Sequence, residues 1–373
     1  MIGAGNSAGR VRVLIIDDSA YARQIITEIL RADPEIEVVG CASDAHVARE
    51  MIRRLNPDVL TLDVEMPRMD GLTFLRNLMR LRPMPVVMVS SLTERGAEVT
   101  LEALAVGAVD FLPKPHIDLG ATLRDYAPEL VSKVKTAARV GVRAMSSEAR
   151  ARDLRAAAGA GLPKSARPPV PVSTTNIIVA IGASTGGTEA IRELLSGLPA
   201  DAPGIAITQH IPKAFSAAFA RRLSESTALR VQEATDGQQI LPGHAFVAPG
   251  DCHLRVERYG ARYVCRLDHG IPVNRHRPSV DVLFHSAAQA AADRSIGVLL
   301  TGMGRDGALG LLQMRQAGSQ TIAQDEASSV VWGMPGEAVA IGAAQLVLRL
   351  SGIAARLMNL VAAMDITRPS RTA

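Results

Sequence analysis

Ser184 sits in Gly182-Ala183-Ser184-Thr185-Gly186, a G-x-S-x-G run that follows the apolar residues 177–181. A sharp strand-to-helix turn of this kind lifts a serine hydroxyl clear of a sheet and sets it at a helix N-terminus. Small neighbours let the backbone turn tightly and let a substrate come close. His210 closes the apolar run 204–209, and Asp306 lies in the glycine-rich stretch 301–307 behind residues 295–300. A serine hydroxyl is a poor nucleophile until an imidazole takes its proton. A carboxylate then fixes the imidazole tautomer and stabilises the imidazolium. Backbone amides must receive the developing oxyanion, and those of Thr185 and Met303 are candidates. Such acyl chemistry calls for no cofactor.

A second set of groups lies in the first half. Asp17 and Asp18 end one apolar run, Asp63 ends another, Ser90 ends a third, and Lys114 follows a fourth. Three carboxylates brought together repel one another unless a hard cation sits among them, and Mg²⁺ suits oxygen ligands. A nearby ammonium and hydroxyl then favour an incoming phosphoryl group. Each acid taken singly reads as a loop cap; the joint pattern is far harder to reach by chance.

These groups need strand ends to hold them. Residues 11–16, 36–42, 58–63, 84–90 and 108–112 read as short apolar strands separated by helical stretches. Alternating β and α units with apolar strands imply a parallel sheet covered on both faces, with ligands at the strand C-terminal ends. The second half repeats that logic. Strands are expected at 176–182, 204–210, 295–300, 319–324 and 345–350, and a helix at 281–292. Residues 231–268, punctuated by Gly, Pro and Asp, read as β-hairpins.

At 373 residues with 47% hydrophobic and 21% charged residues, the chain is expected to be globular with two domains. Aromatics at 3% leave no stacking surface for single-stranded nucleic acid. No apolar run approaches the ~20 residues of a membrane span, and no secretory leader is visible, so no membrane insertion and a cytoplasmic location are expected. Cys41, Cys252 and Cys265 lack metal-type spacing and read as free thiols. Residues 131–170 carry nine basic residues against two acidic ones and end in a Pro-rich segment, which reads as a linker.

The first half resembles the receiver domain of two-component response regulators. The Asp17-Asp18 pair, Asp63, the Met66-Pro67…Asp70-Gly71 loop, Ser90 and Lys114-Pro115 match that family's pattern in order. The resemblance implies a flavodoxin-like, five-stranded parallel sheet. It implies that Asp63 takes phosphate from a histidine kinase, with Mg²⁺ held by Asp17, Asp18, Asp63 and the backbone carbonyl of Glu65. Lys114 would contact the phosphoryl group, and Ser90 and Phe111 would be the switch residues.

The second half resembles the catalytic domain of the chemotaxis protein-glutamate methylesterase (CheB) family. The matching pieces are residues 182–187, 209–212, 272–279 and 301–307. The implied domain is doubly wound, mostly parallel α/β with β-hairpin insertions. The implied activity is hydrolysis of glutamate γ-methyl esters, and deamidation of glutamines, on methyl-accepting chemoreceptors. Expected boundaries are 10–130 for the receiver, 131–172 for the linker and 173–367 for the esterase.

Rival readings are a phosphate-binding module built on residues 182–187 and a DNA-binding regulator. The first lacks the G-x-G-x-x-G fingerprint and its acid about 20 residues on. The second lacks a recognition helix, and no nucleic-acid partner is expected. Rivals to His210 are His244, His253, His269, His276 and His285; rivals to Asp306 are Asp268 and Asp281.

Overall fold

The computed structural model describes residues 9–91, 93–114, 122–140 and 177–366. The chain divides into two units, Met1–Ala166 and Arg167–Ala373.

In the first unit the strands are β1 (Val11–Ile16), β2 (Ile36–Ala42), β3 (Val59–Asp63), β4 (Val86–Ser90) and β5 (Asp110–Pro113). They pair in parallel in the order β2-β1-β3-β4-β5. The helices between them are α1 (Ala20–Arg31), α2 (Ala45–Leu55), α3 (Gly71–Leu81), α4 (Glu94–Val106) and α5 (Thr122–Arg139). Four helix starts carry a side-chain cap: Ser19, Asp44, Asp70 and Thr93 each accept a first-turn amide. Each satisfies a donor that the helix itself leaves unpaired. The order reverses between β1 and β3, which opens a crevice at their C-terminal ends. Asp17, Asp18 and Asp63 therefore share one rim. Gly71 is required there, because a Cβ would stand 1.9 Å from the Asp63 carbonyl oxygen.

The expected linker start at 131 needs correction. Helix α5 continues to Arg139, and Leu130, Val134 and Ala137 are buried in the core with Val13, Ile15 and Val87. Lys133 and Lys135, counted above as linker charge, pair with Asp110 and Glu129 and with Asp33 and Glu35. The 3.6-residue apolar spacing was hidden by these intervening lysines. Residues 141–172 of that linker lie outside the described residues.

The second unit is built on β6 (Ile178–Ala183), β7 (Gly204–Gln209), β8 (Arg230–Glu233), β9 (His244–Val247), β12 (Ser295–Leu299), β13 (Gln320–Gln324) and β14 (Leu346–Leu348). All pair in parallel in the order β14-β13-β12-β6-β7-β9-β8. A separate antiparallel hairpin joins β10 (His253–Tyr259) and β11 (Arg262–Asp268). The hairpin reading thus holds for 253–268. It fails for 230–247, where β8 and β9 extend the main sheet. Turn residues mark where a chain bends; they do not say whether the next strand returns antiparallel or crosses over.

Helices α6 (Gly187–Ser196), α7 (Lys213–Ser226), α8 (Val280–Ala291), α9 (Ala308–Gln316), α10 (Met334–Ala340) and α11 (Leu350–Ile366) accompany this sheet. The core includes Ala206, Phe246, Leu283, Phe284, Leu299 and Leu311, all at most 1% exposed. From β6 the chain winds one way through β7, and from β12 the other way, so the switch point lies between β6 and β12. Ser184 follows β6 and residues 301–307 follow β12. Among the described residues no helix is long and apolar enough to cross a membrane.

Candidate functional site

At the switch point of the second sheet, His210 bridges the other two groups. Its Nδ1 lies 3.1 Å from Ser184 Oγ and its Nε2 lies 2.8 Å from Asp306 Oδ2. Ser184 is partly exposed, whereas the side chains of His210 and Asp306 are 8% and 1% exposed. The serine hydroxyl is therefore reachable and its two partners are shielded.

The backbone explains why these residues converge. Ser184 N donates to Thr301 O at 3.0 Å, which ties the β6 turn to the β12 loop. His210 N donates to Ala183 O at 3.1 Å, which ties the end of β7 to the end of β6. Gly186, at φ 75°, takes the left-handed turn into α6. At Gly302 a Cβ would sit 2.8 Å from Ser184 Cβ and 2.3 Å from Met334 Sδ, so glycine alone permits this approach.

Asp306 is the most heavily bonded carboxylate of the site. Oδ1 accepts from Asn274 Nδ2 (2.8 Å), Ser279 Oγ (2.8 Å) and Asp281 N (3.3 Å). Oδ2 accepts from Val280 N (2.7 Å) as well as facing His210. The acid thus sits on the N-terminus of α8, where free amides and the helix dipole favour an anion. Burial pushes its pKa up, but the hydrogen bond and charge of His210, with Asn274 and the Val280 amide, outweigh that and hold it below the usual carboxylate range. An ionised carboxylate only accepts, so Nε2 of His210 carries the proton and Nδ1 is left to take one from Ser184. The two ring nitrogens exchange the places they hold in the serine-protease template, with the same logic.

The rival residues have other work. Asp281 accepts from Gly310 N at 2.6 Å and Asn274 Nδ2 at 2.7 Å, clamping α9 to α8 rather than meeting His210. Burial raises its pKa. Asp268 pairs with Arg255. His253 bonds Ile271 O and the Ser279 amide, His244 bonds Pro242 O, His269 faces Cys252 and His285 faces Gln313. All three cysteines are free thiols.

Three further groups shape the site; two of them lie in the 272–279 stretch that the sequence already marks, but their contacts are not legible there. The His276 ring stacks on His210, with centroids 3.7 Å apart and planes 13° from parallel, which fixes the tilt of the base. Asn274 donates to both Asp281 and Asp306. Asn274 and Arg275 both hold positive φ, at 52° and 69°, in a tight turn closed by two hydrogen bonds between Val273 and His276. The Asn-Arg pair between Val273 and His276 was a turn signal that could have placed this loop. The third contribution is Gln209. Thr185 and Met303 flank Ser184 on the two loops just described; Thr185 is 6% exposed and Met303 is partly exposed.

At the rim of the first sheet, Asp17, Asp18 and Asp63 each present an oxygen within 4.8 Å of the others. Lys114 Nζ donates to Asp63 Oδ2 at 2.7 Å. It stands 3.5 Å from Asp17 Oδ2 without donating to it, so that buried oxygen has no hydrogen-bond partner. Burial pushes Asp63 up to about 7; the Lys114 hydrogen bond opposes this and the Asp17 charge adds to it. An orphaned carboxylate oxygen beside an acid that resists ionising is a site short of positive charge. Its all-oxygen donor set fits Mg²⁺. Glu65 N donates to Asp63 Oδ1 at 3.1 Å, which places that residue's backbone at the rim. Ser90 is fully buried and its hydroxyl donates to the carbonyls of Ser91 and Gly96. Phe111 is 4% exposed under the Lys133 ammonium, 5.4 Å from its ring centroid.

Residues 179–357 match the family model described as CheB methylesterase, and residues 13–122 match the response regulator receiver domain. The chain is 59% identical over 352 residues to a protein-glutamate methylesterase/protein-glutamine glutaminase of Xanthomonas campestris pv. campestris, covering 94% of this chain and 98% of that one. It is 53% identical to the like-named protein of Chromohalobacter salexigens, over 95% and 97% of the two chains. Among solved structures, the CheB methylesterase catalytic domain of Thermotoga maritima matches at 37% identity and a TM-score of 0.49, covering 49% of this chain and 98% of that one.

Proposed function

This chain belongs to the protein-glutamate methylesterase/protein-glutamine glutaminase family, and from that membership we propose a phosphorylation-activated serine esterase that acts on chemoreceptors. It hydrolyses glutamate γ-methyl esters to glutamate and methanol, and deamidates receptor glutamines to glutamate and ammonia. The observation that carries the catalytic assignment is the continuous Ser184–His210–Asp306 relay, with contacts of 3.1 and 2.8 Å.

In this mechanism Ser184 Oγ attacks the ester carbonyl while His210 Nδ1 takes its proton. Asp306 stabilises the imidazolium through Nε2–H. The amides of Thr185 and Met303 receive the oxyanion. The tetrahedral intermediate collapses, and methanol leaves with the proton from His210. A water then attacks the acyl-serine by the same base, and glutamate is released. With a glutamine substrate ammonia leaves in the first half-reaction, at unchanged atom balance.

In the receiver, Asp63 accepts a phosphoryl group from a histidine kinase of the chemotaxis type. Asp17, Asp18, Asp63 and the Glu65 carbonyl would hold Mg²⁺, which when bound would supply charge neutralisation between acceptor and donor. Lys114 contacts the transferred phosphoryl oxygens. Ser90 then swings its hydroxyl from Gly96 toward the phosphoryl group, and Phe111 rotates in response. A cytoplasmic location, shared with the kinase, is part of this proposal.

The test of the whole reading is methanol release from methyl-labelled receptor membranes, with mass spectrometry of receptor peptides for ester and amide conversion. No conversion of either kind, with phosphodonor and Mg²⁺ present, refutes it. Acetyl phosphate or beryllofluoride with Mg²⁺ should raise the rate roughly 5- to 150-fold, the span of a 1–3 kcal/mol coupling. In Asp63→Asn, or with Mg²⁺ chelated, the ratio with to without donor should fall to one. An undiminished ratio in Asp63→Asn would move the acceptor elsewhere. The amide should be tolerated structurally, since burial already disfavours the ionised carboxylate.

A further inference from the structure

We propose that Gln209 is a positioning residue for this reaction, one that locks the Ser184–Thr185 peptide and the His210 backbone in register. The proposal rests on the Ser184–His210–Asp306 reading. Gln209 is the last residue of β7 and is 3% exposed. Its side chain does not follow the strand; it crosses to the nucleophile turn. Nε2 donates to Ser184 O at 2.9 Å and to His210 O at 3.2 Å. One amide group therefore grips the carbonyls of both the nucleophile and the base.

The consequence follows from peptide geometry. Ser184 O also accepts from Gly187 N at 2.7 Å, so it is held from two sides. In a planar trans peptide the carbonyl and the following N–H point in opposite directions. Fixing Ser184 O toward Gln209 therefore fixes Thr185 N–H in the opposite direction within that plane. An oxyanion donor works only if it is aimed before the reaction begins.

The orientation of the amide is itself determined. Gln209 Oε1 is buried without a hydrogen-bond partner. It lies where a Cβ on Gly187 would sit, at 2.2 Å, against the first residue of α6. The positive end of that helix offers the oxygen a favourable field in place of a hydrogen bond. Two carbonyls on one side and a helix N-terminus on the other leave only one way round. The same contact explains why position 187 is glycine.

The test uses the full-length protein with phosphodonor and Mg²⁺, in the receptor demethylation assay, with Ser184→Ala as reference. Gln209→Met fills the volume and removes both donors. Its kcat should fall about 10- to 100-fold with KM unchanged, the scale expected when reacting groups slip by about 1 Å. Its labelling by a serine-directed phosphonate should slow in parallel, with a cooperative melting transition retained. Gln209→Glu keeps the shape, but its carboxylate faces two carbonyls. Burial will raise the pKa of that carboxyl, and only the protonated form regains a donor to Ser184 O. The ratio of its kcat to wild type should therefore rise as pH falls, and taking the ratio cancels any pH dependence the two enzymes share. A role in packing alone predicts a flat ratio. A Gln209→Met enzyme within about twofold of wild type, or a flat ratio for Gln209→Glu if the methionine variant does not fold, overturns the proposal. An active Ser184→Ala would instead refute the catalytic reading beneath it.

Discussion

Replacing Ser184 with alanine is expected to lower methanol release on the order of 10⁶-fold, the cost typical of removing a triad nucleophile. The size follows from the geometry. His210 and Asp306 are rigidly held, so without the hydroxyl they have no proton to move and no acyl group to carry. Residual turnover would come only from oriented amides acting on water. The fold should survive. Ser184 is anchored through its backbone: its N–H donates to Thr301 O, and its carbonyl accepts from Gly187 N and Gln209 Nε2. Its only side-chain hydrogen bond in the described structure is to His210. The melting transition should stay within a few degrees of wild type. Phosphonate labelling should vanish together with turnover. Near wild-type release from this variant would remove Ser184 from the mechanism.

Much of this site was legible because strand ends are legible. An apolar run of five or six residues closing on a polar residue locates a sheet rim, and Ser184, His210, Asp17 and Asp63 all follow that rule. Asp306 required more, since it lies several residues beyond β12. Only the run of glycines indicated a loop folding back. What the sequence hid were side-chain directions. Gln209 reads as a strand residue, and nothing in its spacing says that its amide leaves the strand to bind Ser184 O. His276 reads as one of several loop histidines until the Val273–His276 turn lays it on His210. The parallel pairing of β8 with β9 was hidden for a related reason, because strand direction depends on the path between strands rather than on strand composition. Lys133 and Lys135 look like linker charge because, although Glu129 is an i,i+4 partner of Lys133, Asp110 lies about 20 residues away and Asp33 and Glu35 about 100, beyond any local window.

Asp306→Asn should lower kcat on the order of 10⁴-fold, less than Ser184→Ala but far more than Asp281→Asn. The reason is a conflict among donors. Five groups point hydrogens at the Asp306 oxygens: Asn274, Ser279, the amides of Val280 and Asp281, and His210 Nε2–H. An asparagine supplies one acceptor oxygen where the carboxylate supplies two. If its NH₂ faces His210, the imidazole must accept there and carry its proton on Nδ1. That proton then faces Ser184 Oγ, and the base is lost. If its NH₂ faces Ser279 and Asn274 instead, buried donors oppose one another, at about 1–3 kcal/mol for each left unpaired. Either way the imidazolium loses its counter-charge. The acid side of the stability profile should respond too. The Asp306 pKa is held below its ordinary 3.8, so its contribution is present above that value and is lost as pH falls through the depressed one. Asparagine cannot titrate, so the variant should lose that segment of the acid-unfolding curve. Asp281 lies in the first turn of α8, the helix N-terminus that Asp306 faces from the β12 loop, but it makes no hydrogen bond to His210, and its carboxyl is already pushed toward the neutral form. Asp281→Asn should therefore keep kcat within about tenfold of wild type, since it strains only the clamp between α8 and α9. Side-by-side kcat values for the two variants decide the matter: if Asp281→Asn proves the more damaging, the acid of the relay has been misassigned.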